Sequence, residues 1–127
     1  MIYSTDIEVQ QACEEWKKRL RLQDWFTKSG IYRERDMQLG ECNGECEYQL
    51  ETKMATIRII DPLDYPEGLI VEQDTEKTLV HELLHLHFAP LYANTDDKSI
   101  KDAQEQAIDC IAHALVNLLR GGENNAS

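Results

Sequence analysis

Two histidines and a glutamate stand within five consecutive residues of an apolar stretch, "KTLVHELLHLHFAP", at positions 77–90. Residues four apart lie on the same face of an α-helix, so His81 and His85 would present both imidazoles to one point. Glu82 lies about 100° further round the helix than His81, where its carboxylate can reach water at a metal without binding the metal. The H-E-x-x-H spacing therefore predicts a zinc site with an adjacent general base.

The alternative is a core helix whose histidines bind no metal. At the His and Glu content of this chain, H-E-x-x-H would arise by chance in roughly one chain in a hundred. Buried imidazoles need hydrogen-bond partners, and the neighbouring side chains offer none. These neighbours are Leu79, Val80, Leu83, Leu84 and Leu86. A metal is the simpler way to satisfy His81 and His85, whereas His87 would face another direction and is a poor ligand.

A site with two histidines needs a third protein ligand. An H-x-x-G-x-x-H continuation is excluded, because Phe88 and Leu91 occupy the positions that require glycine and histidine. The segment "EQAID", residues 105–109, instead supplies Glu105, with Asp109 four residues later on the same helical face. Glu105 is therefore the candidate third ligand.

Glu105 lies at the edge of the apolar stripe of its helix, beside Ala112 and Val116. A half-buried carboxylate at this edge needs a partner, and Zn²⁺ on the neighbouring helix would supply it. Asp109 would then accept the remaining N–H of a ligating histidine. The alternative is a boundary glutamate solvated at the rim. The main stripe comprises Ile100, Ala107, Ile108, Ile111, Leu115, Leu118 and Leu119.

Length and charge limit the possible partners. A chain of 127 residues suits one hydrophobic core, so we expect a single domain over residues 1–127, with a frayed tail at about 123–127. The 24 acidic and 13 basic side chains give a formal charge of −11, which repels phosphate backbones and anionic lipids. We therefore expect no nucleic-acid or membrane partner; a neutral or basic polypeptide would approach most readily. The sequence leaves the oligomeric state open.

The lack of a recognisable signal peptide or membrane-spanning segment predicts a cytoplasmic location. The N-terminal segment has no apolar core like that of a signal peptide, and no apolar run reaches the roughly 18 residues that span a bilayer. A cytoplasmic location follows, and in that compartment cysteines are reduced. The four cysteines expected to be free thiols are Cys13, Cys42, Cys46 and Cys110.

Cys42 and Cys46 flank an Asn-Gly pair, which predicts a β-hairpin. A two-residue Asn43-Gly44 turn would pair Cys42 with Glu45 and send Cys46 to the opposite face. A three-residue loop would instead set the two cysteines directly across from each other. A structural zinc site here is disfavoured, because the spacing is C-x3-C and no second close cysteine pair exists.

The remaining pattern predicts an α+β fold, with a small three- or four-stranded sheet packed on three helices. The first helix covers residues 6–22 with Asp6 as N-cap. Strands follow between Asp24 and Ile60, including "MATIRII" at 54–60. The loop that follows contains a candidate short strand, "LIV", at 69–71. The second helix is predicted from Asp74 or Thr75 to about Phe88, ahead of Pro90, and the third from Asp97 or Ser99 to Gly121-Gly122.

With "HELLH" at 81–85 and "EQAID" at 105–109, the sequence resembles the gluzincin zinc metallopeptidases, and among them the small minigluzincins. The resemblance implies an active-site helix and a glutamate helix packed below a small sheet. It also implies an edge strand that holds peptide substrate in extended form, and "MATIRII" at 54–60 matches that position.

The resemblance further implies zinc-dependent hydrolysis of a peptide or protein substrate. His81, His85 and Glu105 would be the zinc ligands, Glu82 the general base and acid, and Asp109 the acid that supports a ligating histidine. An additional donor to the oxyanion would help, and the available candidates are Tyr92, His113 and His87.

Two other functions stay open. The protein would be a regulatory or binding module if zinc served only as a structural clasp between two helices. Such a clasp has no use for a carboxylate beside the first ligand, so Glu82 favours an enzyme. A specialised peptidase that cleaves a regulator, similar to the small repressor-cleaving enzymes of mobile elements, is the other possibility.

Overall fold

A computed structural model describes residues 1–39, 43–66 and 72–125 of the chain. Within these ranges it has three helices and one three-stranded sheet, which confirms the predicted α+β fold. The short strand predicted at residues 69–71 lies outside the described residues. The helices are α1 (Asp6–Leu20), α2 (Thr75–Tyr92) and α3 (Lys98–Asn125), and the strands are β1 (Phe26–Tyr32), β2 (Gly44–Gln49) and β3 (Met54–Ile60).

The strand order of the sheet is β1–β3–β2, with β3 parallel to β1 and antiparallel to β2. The expectation that "MATIRII" forms an edge strand is therefore wrong, because this segment is the central strand. Its alternate residues Ala55, Ile57 and Ile59 are buried under the helices, as suits a strand with neighbours on both sides. The edges of the sheet are β1 and β2.

The β-hairpin joins β2 to β3 through residues 50–53, so the hairpin predicted at Asn43-Gly44 is wrong. Gly44 begins β2 and pairs with Ile59, while the Asn43 carbonyl accepts the N–H of Ile60 at 2.9 Å. These long-range pairings give the backbone groups partners, which outweighs the local turn preference of Asn-Gly.

The described cysteines, Cys13, Cys46 and Cys110, are free thiols. Cys46 lies opposite Ile57 on β3. Cys42 lies outside the described residues, and so do both predicted arrangements of Cys42 with Cys46.

The core lies between the sheet and the helices, because α1 and α2 cover one face of the sheet and α3 packs on α2. Burying a large aliphatic side chain stabilises the fold by about 1.5–3 kcal/mol, so this layer holds α2 firmly. Over the described residues, no helix is both long enough and apolar enough to cross a membrane. The fully buried side chains include Val9, Ile57, Ile59, Leu79, Val80, Leu83, Ile108, Ala112 and Val116.

The N-cap of α1 is Thr5 and not Asp6. Thr5 and Glu8 form a capping box, in which the Thr5 hydroxyl accepts the Glu8 N–H and donates to the Glu8 carboxylate. Asp6 instead bonds to the edge strand β1, because its Oδ1 accepts the N–H of Ile31 at 2.8 Å. The helix ends at Leu20, two residues before the predicted end.

Two predicted helix ends are also wrong. α2 continues through Pro90 to Tyr92, because the ring removes only one N–H donor and the Ala93 N–H still bonds to the Ala89 carbonyl at 2.9 Å. α3 continues through Gly121-Gly122, so residues 123–125 of the expected tail are helical. Glycine costs about 1 kcal/mol inside a helix but ends it only in a left-handed conformation, which Gly121 does not adopt.

A polar cluster fixes the start of α2 against the other helices. Asp74 caps α2, as predicted, by accepting the N–H of Lys77, and it also receives both arms of the Arg120 guanidinium at 2.7 and 2.9 Å. Arg120 also bonds to Glu76 (3.0 Å), which accepts the indole N–H of Trp16 (3.0 Å). Burial alone would raise the pKa of Asp74, but the guanidinium and the helix N–H outweigh it and lower that pKa.

Arg120→Met should lower the free energy of unfolding by about 2–3 kcal/mol, because it leaves the largely buried Glu76 without its cation and Asp74 with only the Met1 amino group at 3.9 Å. Methionine keeps most of the aliphatic volume, so the loss reports the charge. Urea unfolding measures it. Lys101→Met, at an exposed position of the same helix, is the control and should change stability by less than about 0.5 kcal/mol. Equal stabilities of the two variants would contradict the role of the cluster.

Candidate metal centre

The burial of α2 determines where its histidines point. Leu79, Leu83 and Leu86 are fully or almost fully buried against the sheet and α1, so the face of α2 that carries His81 and His85 turns towards α3. The two imidazole rings lie side by side, with centroids 5.3 Å apart and planes inclined by 51°. Both side chains are about one-fifth exposed, which leaves them accessible from solvent.

The face of α3 that packs on α2 overlaps only in part with the stripe expected from the sequence: Ile108 of that stripe is buried, and Leu115 and Leu119 are partly buried against the core. The buried residues are Ile108, Ala112 and Val116, whereas Ile111 and Leu118 are 38 % and 72 % exposed. Ile100 and Ala107 of the predicted stripe are exposed too. Apolar residues occupy more than half of the circumference of α3, and only the packing on α2 decides which part is buried. The buried part is the one beside Glu105, so the carboxylate is brought directly to α2.

Glu105 joins the two histidines. Its Oε2 lies 3.0 Å from Nε2 of His81 and its Oε1 lies 2.8 Å from Nε2 of His85. One ligand atom from each of the three residues can be chosen so that all lie within 4.8 Å of one another. Two imidazole nitrogens and a carboxylate oxygen are a donor set that suits Zn²⁺, so the residues fit the ion.

Asp109 lies behind the first histidine. Its Oδ1 is 3.2 Å from Nδ1 of His81, on the side of the ring opposite to Glu105. A hydrogen bond from Nδ1–H to this carboxylate fixes the orientation of the ring and leaves the lone pair of Nε2 for a ligand. The structure therefore brings together Glu105 and Asp109 with His81 in the arrangement that the sequence pattern indicates.

Charge is tightly coupled among these groups. Burial would lower the pKa of His81, but the hydrogen bond with Glu105, the Glu82 charge and Asp109 outweigh it and raise the pKa to about 9. The hydrogen bonds from His81 and His85 hold the pKa of Glu105 well below its ordinary value. In the metal-free chain His81 and Glu105 therefore form an imidazolium–carboxylate pair near neutral pH.

Glu82 is the most unusual group of the site. Its side chain is almost completely buried at 7 % exposure, and its carboxylate accepts no hydrogen bond from any residue that the structure describes. Burial raises its pKa to about 7, although the neighbouring His81 and His85 act in the opposite direction. A carboxylate in such a position, with a pKa near the working pH, suits a general base. Such a group is typical of a catalytic site.

A cavity of about 920 Å³ opens over these residues. Its lining includes Glu82 and the metal-ligand candidates on one side, and Asn43, Gly44 and Cys46 at the start of β2 on the other. β2 is therefore the edge strand beside the candidate metal centre. The other edge, β1, is covered by α1, because Asp6 accepts the N–H of Ile31 and Gln10 donates to the Ser29 carbonyl at 3.5 Å.

The three candidate oxyanion donors lie in different places. His113 lines the cavity, with Nε2 3.6 Å from Oδ1 of Asp109. His87 is remote from the cavity, since its Nε2 donates to the Leu20 carbonyl (2.6 Å) at the end of α1. Tyr92 stacks on Phe88 with ring centroids 6.3 Å apart and is not part of the cavity wall. Only His113 of the three is therefore close to the site.

Gly44 and Glu45 are among the cavity residues that sequence reasoning did not assign to the site. Gly44 was assigned to a turn, although β2 approaches α2 closely there. Glu45 is 2 % exposed, and its carboxylate accepts the N–H groups of Gln38 and Leu39 and a bond from Arg58. It thereby ties the chain before β2 to the sheet. Burial would raise its pKa, but these donors outweigh burial and lower it.

The alternating side-chain pattern of β2 and β3 was the available signal for the role of Glu45, because Glu45 and Arg58 face each other across the ladder. No signal in the sequence marks Gly44 as a site of close packing. Comparison of the chain with known protein families, with curated proteins and with solved structures finds no match.

Proposed function

We propose that the protein is a zinc metallopeptidase, as its resemblance to the minigluzincins implies. The observation that carries the proposal is the carboxylate of Glu82, a residue only 7 % exposed, in the wall of an open cavity beside a cluster of two imidazoles and a glutamate. A structural site has no need of such a carboxylate. A hydrolase needs one to move a proton.

In this mechanism His81, His85 and Glu105 hold the ion. Zinc supplies Lewis-acid chemistry, since it lowers the pKa of water and polarises a carbonyl group. Glu82 takes the proton of the attacking water on a carboxylate oxygen, while the water oxygen bonds to the peptide carbon. When the C–N bond breaks, Glu82 returns the proton to the leaving amine. Asp109 keeps the His81 ring oriented throughout.

The substrate in this proposal is a peptide segment in extended conformation along β2. This edge strand borders the cavity, whereas α1 side chains occupy the free edge of β1. The assignment replaces β3, whose two sides are already paired. The free thiols of Cys13, Cys46 and Cys110 fit a cytoplasmic setting, which is part of the proposal.

A non-catalytic, zinc-stabilised binding or regulatory module is the second candidate. One observation favours it: α3 buries few side chains, chiefly Ile108, Ala112 and Val116, so an ion shared by His81, His85 and Glu105 would add a strong link between α2 and α3. The two candidate functions differ in one requirement: the peptidase needs the Glu82 carboxylate for catalysis, and the binding module does not.

The first test is metal content together with digestion of a peptide library. Elemental analysis of carefully purified protein should find about one zinc per chain, as three ligands at a single centre require. The zinc-loaded protein should cleave library peptides, and protein stripped with a chelator should not. Zinc without cleavage would favour the module. No zinc, even after it is added back, would overturn both candidates.

Zinc affinity should fall as the pH is lowered. The pKa of His81 is raised to about 9 in the metal-free chain, so zinc must displace a proton at any lower pH. Each pH unit below that pKa should therefore weaken binding about tenfold through this group alone. Competition with a chelator of known affinity between pH 8 and 6 measures the slope. An affinity that is independent of pH over this range would contradict the assignment of His81 as a ligand.

A further inference from the structure

β2 packs against α2 at Gly44, a residue that has no side chain. A Cβ atom built on Gly44 would lie 2.6 Å from Cγ2 of Thr78, and 3.3 Å from both Cγ and Oε2 of Glu82. Carbon atoms without a bond between them pack at about 3.5–4.0 Å. Any residue other than glycine at position 44 must therefore displace Thr78, Glu82 or β2 itself.

Thr78 is poorly able to yield. β-Branched residues have few allowed χ1 rotamers on a helix, and the Thr78 hydroxyl donates to the Asp74 carbonyl at 3.1 Å. Turning the methyl group away from β2 would break this bond. Gly44 is also held, because it pairs with Ile59 in the ladder and the preceding carbonyl accepts the Ile60 N–H.

Glu82 is the group that can move. Its carboxylate accepts no hydrogen bond from the described residues, so its position depends on packing and on the charges of the neighbouring His81 and His85. On the β2 side, the Gly44 backbone borders the carboxylate, since a Cβ built there would lie 3.3 Å from Oε2 of Glu82. The methyl group of Thr78, one turn before Glu82 on α2, borders the same position. A displacement forced at position 44 is therefore passed to the carboxylate.

We propose that Gly44 and Thr78 are positioning residues for Glu82, in that the bare backbone of the one and the methyl group of the other together fix the carboxylate in the cavity. The inference rests on the proposed peptidase function, since it assigns the geometry that Glu82 needs for proton transfer. The space between position 44 of β2 and position 78 of α2 holds one methyl group. The position of Glu82 should therefore depend on that number, and not on which of the two residues carries the methyl group.

The experiment is a double-mutant cycle with Gly44→Ala and Thr78→Ser, measured with a quenched fluorescent peptide that the wild-type enzyme cleaves in a library. Gly44→Ala should lower kcat about 100-fold, as expected for a misplacement of about 1 Å, with a much smaller change in KM and unchanged zinc content. Thr78→Ser removes the methyl group that an alanine would meet and keeps the hydroxyl. Alone it should lower kcat modestly, because Glu82 becomes less confined.

The double variant moves the methyl group from one residue to the other and should recover most of the wild-type kcat. Adding Gly44→Ala to the Thr78→Ser background should therefore raise kcat, whereas in the wild-type background it lowers kcat. Additive effects of the two substitutions on kcat would overturn the inference. If Gly44→Ala does not fold, the comparison of Thr78→Ser with the double variant still tests the inference, because only a positioning role predicts a higher kcat in the double variant.

Gly30→Ala is the matched control on β1, remote from the cavity. A Cβ there would lie 2.9 Å from Oδ1 of Asp6, so the thermal midpoint should fall while kcat of the folded protein stays unchanged. An equal loss of kcat in Gly30→Ala and Gly44→Ala would show a general effect of strand distortion and overturn the inference.

A readout without activity separates this inference from the proposed function. In crystal structures of the metal-free proteins, the Glu82 carboxylate should be displaced by about 1 Å in Gly44→Ala and restored in the double variant. If the wild type cleaves no peptide but the carboxylate moves in this way, the packing inference holds and the peptidase proposal fails. A carboxylate that does not move, with wild-type kcat in Gly44→Ala, overturns the inference alone.

Discussion

Glu82→Gln should retain one zinc per chain and lose peptide hydrolysis by about a hundredfold to ten-thousandfold, the contribution of a general acid–base group. Glutamine has nearly the same shape, so the cavity wall formed with Gly44 is preserved. Its amide cannot accept a proton from water at neutral pH. The loss should appear in kcat, because the proton is moved in the transition state and not in substrate binding.

The charge change itself needs a control. Glu51→Gln removes one carboxylate from the exposed turn between β2 and β3 and should leave both zinc content and turnover unchanged. Glu82→Gln also removes a charge that burial disfavours, as the raised pKa of Glu82 indicates, so the free energy of unfolding should increase slightly. Unchanged turnover in Glu82→Gln would mean that another group moves the proton, and the mechanism given above would be discarded.

The gain in stability is itself informative. A group that destabilises the folded protein, and whose removal ends the chemistry, fits a site in which burial is used to raise the pKa of a base to about 7. In a non-catalytic module, Glu82→Gln would raise stability and change nothing else. The same variant therefore separates the two candidate functions.

The sequence predicted those parts of the site that depend on short spacing. His81 and His85, or Glu105 and Asp109, lie four residues apart, and helix geometry alone places each pair on one face. The contacts between the pairs, such as Oε1 of Glu105 with Nε2 of His85 at 2.8 Å, required only that the two helices pack against each other. The same short-range logic limited the cap of α2 to Asp74 or Thr75, and Asp74 is the residue that caps it.

Features that depend on long-range pairing were not predictable. "MATIRII" has the pattern of a strand, but nothing in it tells whether neighbours lie on one side or both. Asn43-Gly44 has a strong local preference for a turn, yet the ladder with Ile59 and Ile60 extends it. Which arc of α3 is buried depended likewise on α2, and the exposed Leu118 could have been chosen as easily as Val116.

Glu105→Ala should abolish stoichiometric zinc binding and lower the affinity by at least about 100-fold. A supporting residue behind a ligand typically contributes 10- to 100-fold, and the ligand itself contributes more. Asp109→Ala should therefore retain zinc with an affinity about 10- to 100-fold weaker. This order of effects distinguishes a ligand from a residue that only orients His81.

Thermal unfolding with added zinc gives a readout that is independent of catalysis. Zinc at 100 times its dissociation constant should stabilise the wild type by about 2.7 kcal/mol, because it binds the folded chain. Glu105→Ala should show little of this increase at the same zinc concentration. Asp102→Ala is the matched control, since this exposed carboxylate of α3 pairs only with Lys98 among the described residues, and it should respond to zinc as the wild type does.

The result that would contradict the ligand set is equal zinc stabilisation in Glu105→Ala and Asp102→Ala. Zinc would then bind elsewhere, or through the histidines alone. In the metal-free state Glu105→Ala also removes the carboxylate that both imidazoles contact, which should return the pKa of His81 towards its ordinary value, because the hydrogen bond to Glu105 is the leading cause that raises it. Observing that shift by NMR while zinc binding persisted would show that Glu105 belongs to the electrostatic cluster without being a ligand.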